Sequence, residues 1–145
     1  MRLINDEITT NANPEKLEKM FKINVTANII LTIYVIRDFL LNETNDGSVV
    51  NITSVCAHTG YKGLSMYAAS KGAIEFFSKT VAREWGRLGI RSNCVAPGFM
   101  ETEMSAGIED FQKQRIYKRT SLRKETDSFK VFPTVSFLLS HILVL

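Results

Sequence analysis

Two short apolar segments with a long helical pattern between them constrain the fold of this chain most strongly. Residues 48–54, SVVNITS, are a β-branched run behind a turn signal, and residues 89–97, GIRSNCVAP, are a second run that ends at Pro-Gly. Residues 65–88 between them have helical composition and period. Because a strand, a crossover helix and a second strand form a parallel βαβ unit, the sequence predicts an α/β fold with a parallel sheet.

A long helix is predicted before this unit. Asn13 and Pro14 are typical of a helix start, and apolar residues recur from residue 17 to residue 41. Between residues 28 and 36 the pattern is apolar nearly all round the helix. We therefore expect this part to be covered on more than one side, by the same fold or by a partner chain.

A loop, a charged helix and an apolar tail are predicted in the C-terminal third. The loop follows Gly98, the helix lies at about residues 108–119, and the tail is residues 135–145. No internal repeat and no linker composition interrupt the sequence. Residues 1–145 are therefore expected to form one domain.

The composition argues against several classes of function. With 45% hydrophobic and 23% charged residues, the chain is able to form a core and is not expected to be disordered. The net charge of +3 is small and argues against nucleic-acid binding. The first residues contain no apolar segment behind the basic residue, which argues against a secretory signal and for the cytoplasm. The longest apolar stretches, NIILTIYVI and VSFLLSHILVL, are shorter than the roughly 20 residues of a membrane span, so no membrane is expected.

Tyr67 and Lys71 are the first candidates for chemistry. Their four-residue spacing in YAASK places them one above the other on one helix face, about 5–6 Å apart at their Cβ atoms. Tyrosine loses its proton near pH 10 in water, and a neighbouring ammonium lowers that pKa by favouring the phenolate. Such a pair also arises by chance, so it needs independent support.

Other features converge on the same edge of the predicted sheet. Ser54 lies at the end of the first strand, APGFMET follows the second strand, and Tyr67 lies near the start of the helix between them. In open parallel sheets, ligands bind beyond the carboxyl ends of the strands. This edge is therefore the predicted functional site.

The order and spacing of these motifs identify a family resemblance. The chain has NITS, then thirteen residues from Ser54 to Tyr67, then YAASKGA and IRSNCVAPGFMETEM. Over roughly residues 15–125 it resembles the short-chain dehydrogenase/reductase family. The phrasing APGFMETEM and AREWGRLGIRSN is most similar to β-ketoacyl-acyl-carrier-protein reductases, although sugar and steroid dehydrogenases share much of it. The resemblance implies a partial Rossmann-like, doubly wound parallel sheet.

The resemblance also implies roles for individual residues. Tyr67 would protonate the alkoxide as a ketone is reduced to a secondary alcohol, and Ser54 would hydrogen-bond the carbonyl oxygen. Lys71 would lower the pKa of Tyr67 and hold the nicotinamide ribose, while Asn24 would hold a water of a proton relay. The residues expected to bind the cofactor are Tyr67, Lys71, Pro97, Gly98, Met100 and Thr102.

Cofactor and partners follow from the same resemblance. NADP or NAD is implied, with NADP favoured by the resemblance alone. The implied partners are a small carbonyl substrate, acyl carrier protein as its carrier, and further copies of the chain, which would pair through the helices around residues 15–41 and 65–88. Cys56 and Cys94 lack metal-ligand spacing, so no metal is expected.

Both ends of the sequence depart from the family pattern. No G-x-G-x-x-G or T-G-x-x-x-G-x-G turn is present, and the first strand already carries Ser54. At the other end, HILVL stands where the family has a last strand similar to TGQVIHVDGG. We therefore expect the C-terminal catalytic half of the fold. By itself this chain is expected to bind dinucleotides weakly or not at all and to show no reductase activity. The alternative is a non-catalytic remnant that only associates with other chains.

Several conspicuous residues are interpreted without a catalytic role. His58 is expected in a loop with no part in proton transfer. A solvated helix face is expected to hold Arg83, Arg87 and Arg91. Three aromatic residues on the helix are expected to serve packing, namely Phe76, Phe77 and Trp85.

Overall fold

Two strands and five α-helices make up the regular structure of the part of the chain that the structure describes. The computed structural model describes residues 9–140, apart from the side chain of Met104. The strands and helices are, in chain order, α1 (Pro14–Phe21), α2 (Ala27–Leu41), β1 (Ser48–Ile52), α3 (Ser65–Trp85), β2 (Arg91–Val95), α4 (Asp110–Tyr117) and α5 (Ser128–Leu139).

The two strands are parallel neighbours, joined by the crossover helix α3. Their register runs from Ser48 opposite Arg91 to Ile52 opposite Val95. The backbone N–H of Thr53 donates to Val95 O at 2.8 Å, which continues the pairing beyond β1. The predicted parallel βαβ unit and partial Rossmann-like sheet are thereby confirmed.

Both strands are shorter than the predicted ranges 48–54 and 89–97 because a turn interrupts each one. β1 gives way to a 3₁₀ turn at Val55–Ala57, capped by Ser54. β2 is preceded by a 3₁₀ turn at Gly86–Leu88, and Gly89 then adopts a left-handed conformation with φ 76°. A Cβ at Gly89 would overlap the carbonyl of Asn45, so only glycine fits this turn.

The predicted long helix is present and contains a π-helical turn. α1, a π turn at Lys22–Thr26 and α2 form one continuous helix of 28 residues, Pro14–Leu41. Asn13 caps its start, because the Asn13 side chain accepts hydrogen bonds from Glu15 N at 2.8 Å and Lys16 N at 3.2 Å.

Only one side of α2 is covered by the described residues. Thr32 and Ile36 are buried, whereas Leu31 and Tyr34 are 64% and 63% exposed. Residues 28–36 were expected to be covered on more than one side. In a single copy of the chain, one apolar side of this helix lies open.

The helix Pro14–Leu41 corrects one expectation from the sequence. By length and composition alone it would be able to cross a membrane, although the core helix of a soluble protein passes the same test. The apolar stretches considered separately were too short. The structure joins NIILTIYVI to its neighbours in one uninterrupted helix, so the argument from length against a span is wrong.

The core lies between α2, α3 and the turn into β2. Ile36, Val81 and Ile90 are buried, and the partly buried side chains packed against them are Phe39, Phe77 and Trp85. Phe77 and Trp85 thus pack as predicted. Phe76 does not, since it is 70% exposed. One residue turns a helix by about 100°, which directs Phe76 away from the face that Phe77 presents to the core.

Helix α5 packs against the start of the sheet and uses Arg91 to do so. The Arg91 guanidinium donates to Leu138 O at 2.8 Å and to Ser140 O at 3.0 Å, and it lies 3.6 Å from the Asp46 carboxylate. The expectation of a solvated Arg91 is therefore wrong, because it begins a strand and binds the C-terminal end of a neighbouring helix. Arg83 and Arg87 are exposed as expected. The part of the predicted tail at residues 141–145 lies outside the described residues.

Candidate functional site

Ser54 and Tyr67 meet at the carboxyl end of β1. Ser54 is only 8% exposed, and its Oγ accepts a hydrogen bond from Cys56 N at 3.2 Å, which fixes the turn that follows the strand. The Ser54 side chain also lies close enough to the Tyr67 phenol to act on its pKa. The predicted serine–tyrosine pair is therefore assembled by a strand end and the first turn of α3.

The pKa of Tyr67 is raised, which differs from the expected lowering by Lys71. Burial of the phenol is the largest cause, because it disfavours the phenolate. The Ser54 side chain lowers the pKa, and the nearby Cys56 raises it. Burial outweighs the lowering influence in this structure, so Tyr67 is a protonated phenol at neutral pH.

Lys71 lies beside Tyr67 with its ammonium directed at the end of β1. Its Nζ donates to Ile52 O at 3.0 Å and lies 5.8 Å from the centre of the Tyr67 ring. Burial lowers the pKa of Lys71, because the loss of surrounding water destabilises the charged ammonium more than the neutral amine. Ser54, Tyr67 and Lys71 thus occupy one edge of the sheet.

Asn24 contacts α3 through Ser70, a residue that no sequence motif indicated. Asn24 Nδ2 donates to Ser70 Oγ at 3.2 Å, and Ser70 Oγ donates to Tyr67 O at 2.8 Å. Ser70 is completely buried. Asn24 lies within the π turn, where Ala27 N–H donates to Lys22 O, and π turns occur frequently at functional sites. The water-relay role of Asn24 stays a prediction.

The segment after β2 lies against the serine turn. Pro97 O accepts a hydrogen bond from Val55 N at 3.1 Å, one residue after Ser54. A Cβ at Gly98 would approach Thr126 Oγ1 to 2.6 Å, so Gly98 allows close contact with the chain before α5. Thr102 N donates to Ser105 Oγ at 2.8 Å, which turns the segment back on itself after Met100.

This donor set fits the nicotinamide end of a dinucleotide. A phenol, a serine hydroxyl and an ammonium lie at the carboxyl ends of two parallel strands, where such sheets bind ligands. Pro97 is buried and Gly98 and Met100 are half-buried beside them, whereas Thr102 is exposed. Within residues 9–140, no group of three or more His, Cys, Asp or Glu side chains is arranged to hold a metal ion.

Glu101 links this segment to α4. Lys113 Nζ lies 3.1 Å from Glu101 Oε2, the Tyr117 hydroxyl donates to Glu101, and the Tyr117 ring contacts Phe99 at 5.9 Å between centroids. These bonds hold the pKa of the Glu101 carboxyl below its usual value. Desolvation is the largest cause that raises the pKa of Tyr117 to about 12, and the hydrogen bond to Glu101 adds to it. The sequence offered no signal for this link beyond the charges of the two segments.

A second polar cluster joins the serine turn to α3. Glu75 is 7% exposed, and its carboxylate lies 3.1 Å from His58 Nε2 and 2.6 Å from Lys79 Nζ. The cluster borders a cavity of about 350 Å³ that also includes Ser78 and Cys94. His58 lies in the loop, as expected, and the structure pairs it there with a buried carboxylate. That it takes no part in proton transfer stays a prediction.

Comparison with known proteins identifies relatives along nearly the whole chain. Residues 3–143 match a family model described as enoyl-(acyl carrier protein) reductase. Carbonyl reductase family member 4 of Xenopus tropicalis is 32% identical over 145 residues, which cover 96% of this chain and 59% of that protein. The 3-oxoacyl-[acyl-carrier-protein] reductase FabG of Chlamydia muridarum is 30% identical over 136 residues, which cover 94% and 54%.

Solved structures share the fold. A 4-hydroxyisoleucine dehydrogenase complexed with NADH and succinate superposes with a TM-score of 0.86 and 25% identity, over 95% of this chain and 57% of that one. A gluconate 5-dehydrogenase from Burkholderia cenocepacia, in complex with NADP and tartrate, has a TM-score of 0.89 and 24% identity, over 94% and 54%. This chain spans about half the length of the curated relatives it matches.

The family match and the site geometry agree. The serine, the tyrosine–lysine pair and the segment that begins at Pro97 occupy one edge of a parallel sheet, within the residues matched by the family model. The chain belongs to the short-chain dehydrogenase/reductase family of oxidoreductases.

Proposed function

We propose that this chain carries the catalytic centre of an NAD(P)H-dependent oxidoreductase that reduces a ketone to a secondary alcohol. The observation that carries the proposal is the convergence of Ser54, Tyr67 and Lys71 at the carboxyl ends of two parallel strands. A proton donor, a hydroxyl and a cation within one edge are the groups that carbonyl reduction requires.

The cofactor and the protein would supply different parts of the reaction. A bound nicotinamide cofactor supplies the hydride. The Ser54 hydroxyl donates a hydrogen bond to the carbonyl oxygen and holds it near Tyr67. Burial keeps the Tyr67 phenol protonated, so it donates its proton to the oxygen as negative charge develops there. The Lys71 ammonium then stabilises the phenolate that remains.

Lys71 and Tyr67 are also proposed to hold the nicotinamide ribose, and the segment with Pro97, Gly98, Met100 and Thr102 to border the nicotinamide ring. The half-buried backbone of this segment lies against the serine turn, which supports that placement. NADP and NAD both remain candidates, since a related dehydrogenase is complexed with NADH and a fold neighbour with NADP.

A 3-oxoacyl thioester carried by acyl carrier protein is the proposed substrate. The relatives include a 3-oxoacyl-[acyl-carrier-protein] reductase, an acetoacetyl-CoA reductase from Synechocystis and a (3R)-3-hydroxyacyl-CoA dehydrogenase from Mus musculus. Their names share an oxo or hydroxyl group on an acyl chain. A sugar or steroid ketone is the alternative substrate, as the gluconate 5-dehydrogenase neighbour illustrates.

The assembly is proposed to be a homo-oligomer in the cytoplasm. Exposed apolar side chains on the two long helices, including Leu31, Tyr34 and Phe76, support association through α2 and α3. A second function of a different class is a non-catalytic chain that only associates through these helices. It is favoured by one observation, that large apolar side chains are exposed on both of these helices.

A chimera separates the two functions. The N-terminal half of the Chlamydia muridarum reductase is fused ahead of this chain, and NADPH and NADH oxidation is followed with acetoacetyl thioesters of acyl carrier protein and CoA, a keto sugar and a steroid ketone. We expect reduction of the thioesters. The 145-residue chain by itself is expected to bind NADPH weakly, since it lacks the pyrophosphate turn. A folded chimera that binds NADPH and reduces none of the four substrates would favour the non-catalytic function.

A further inference from the structure

The turn that carries Ser54 lies along α3 and is attached to it at one end. At the inner end, the Ser54 side chain lies close enough to the Tyr67 phenol to act on its pKa. At the other end, His58 Nε2 lies 3.1 Å from the Glu75 carboxylate. Tyr67 and Glu75 are eight residues apart on α3, which separates them by about 12 Å along the helix axis. The turn therefore lies along the helix as a short strap.

The strap itself is stiff. Ser54 Oγ accepts a hydrogen bond from Cys56 N at 3.2 Å, Ala57 N donates to Ser54 O at 2.9 Å, and His58 N donates to Val55 O at 3.0 Å. These bonds close a 3₁₀ turn from the serine to the histidine. A displacement of His58 is therefore transmitted to Ser54 instead of being absorbed between them.

Burial of Glu75 strengthens the contact that attaches the His58 end of the strap to α3. Its side chain is only 9% exposed, and a buried carboxylate without partners costs several kcal/mol, so it requires the groups that face it. Lys79 and His58 supply these partners, and they are about equally exposed, at 58% and 54%. Lys79 lies one turn further along α3, whereas His58 comes from the loop. Only His58 connects the carboxylate to the serine turn.

We propose that His58 and Glu75 are positioning residues that hold Ser54 in line with the Tyr67 phenol. Their link fixes the far end of the strap, and the stiff turn carries that constraint to the serine hydroxyl. Its catalytic consequence rests on the proposed reductase function. The positioning itself does not, because it concerns a contact within this chain that is present without cofactor or substrate.

The test is the titration of the Tyr67 phenol in the 145-residue protein. The chain has four tyrosines, so [¹³Cζ]tyrosine NMR gives four signals, and the one lost in Tyr67→Phe is assigned to Tyr67. The Ser54 side chain lowers the pKa of Tyr67. If Ser54 moves away from the phenol in His58→Ala, the titration midpoint is expected to rise by about half a pH unit or more.

Two further variants serve as controls. Lys79→Ala also removes a partner of Glu75, but it leaves the strap attached, so the Tyr67 midpoint is expected to move by less than about 0.2 unit at 0.15 M salt. His58→Gln keeps an N–H donor for Glu75 and is expected to restore the parent midpoint. The proposal is overturned if His58→Ala leaves the midpoint unchanged, or if the two alanine variants shift it equally. Neither result depends on turnover, so a failure of the reductase function would be seen separately.

Discussion

At the scale of single residues, burial determines the chemistry of the site. Tyr67 is kept protonated because burial raises its pKa, and the Lys71 ammonium is disfavoured because burial lowers its pKa. The fold therefore places a charge where it is not fully compensated. Such local costs are typical of functional sites, where stability is given up for chemistry.

Replacement of Lys71 by methionine tests this cost. Because its pKa is lowered, Lys71 destabilises the fold while it is charged, and the fold gains stability as pH rises through the folded pKa toward the unfolded value of 10.5. Lys71→Met is thus expected to raise the melting temperature at pH 7, with the gap to the parent shrinking toward pH 10. A variant that melts below the parent at pH 7, with a gap independent of pH, would contradict this account.

The residues of the candidate site were predictable from sequence because local geometry fixes them. The position of Ser54 follows from the end of a strand. The relative positions of Tyr67 and Lys71 follow from their four-residue spacing on a helix. The link between His58 and Glu75 was not predictable, since these residues are separated by a loop with two glycines whose path no local pattern defines.

At the scale of the elements, two links hold the loops around the site. The serine turn is bound to α3, and the segment that begins at Pro97 is bound to α4 through Glu101. The π turn in the first helix was not predicted, because its apolar pattern continues through it without a break. The contact of Asn24 with Ser70 depends on that turn and was missed for the same reason.

The link between Glu101 and α4 is expected to control the local stability of this helix. In Glu101→Gln, the charged partner of Lys113 and Tyr117 is lost, so amide hydrogen exchange across Asp110–Tyr117 should speed up several-fold. Asp110→Asn is the control, since it removes a partner of Lys113 that lies within α4 itself.

The pH dependence of this link follows from the same contacts. Because the pKa of Glu101 is lowered, its contribution is present above the unfolded value of 4.5 and is lost as pH falls through the folded value. Protection of α4 in the parent should therefore decrease as pH falls below 4.5 and through the lowered pKa of Glu101, while Glu101→Gln should show no such decrease. Equal protection of parent and variant at neutral pH would show that the link does not hold α4.

The turn between α3 and β2 is expected to depend on Gly89. Alanine there combines a left-handed backbone with overlap on Asn45, so Gly89→Ala should destabilise the fold by at least about 2 kcal/mol in urea unfolding. Gly72→Ala, within α3, has no neighbouring atom within 4 Å of the new Cβ and should stabilise the fold by about 0.5–1 kcal/mol. Equal effects of the two substitutions would contradict the assigned turn conformation.

At the scale of the whole molecule, the described residues leave apolar surface uncovered. A two-stranded sheet has two open edges, and large apolar side chains are exposed on both long helices. The sequence pattern predicted that residues 28–36 need cover, but the covering partner is not encoded in local periodicity. The structure shows which side of α2 is left open, and the proposed assembly supplies a second copy of the chain to cover it.

Association through the long helices is expected to depend on specific exposed residues. Leu31 and Phe76 are 64% and 70% exposed, so the double variant Leu31→Glu/Phe76→Glu should shift the chain to a monomer in light scattering. Phe129→Glu is the control, because Phe129 is 86% exposed on α5, outside these helices. An unchanged mass for the double variant, or an equal loss of mass in the control, would place the interface elsewhere.

Tyr67 is proposed to donate the proton in carbonyl reduction. One measurement tests this role directly. In the chimera with the Chlamydia muridarum N-terminal half, the kcat for acetoacetyl thioester reduction by NADPH is compared between the parent and Tyr67→Phe. Loss of the single hydroxyl is expected to lower kcat by at least about 100-fold, with the melting temperature nearly unchanged and the NADPH affinity weakened by no more than several-fold through loss of one contact to the ribose. A Tyr67→Phe chimera that turns over within a few-fold of an active parent would contradict the assignment of this catalytic centre.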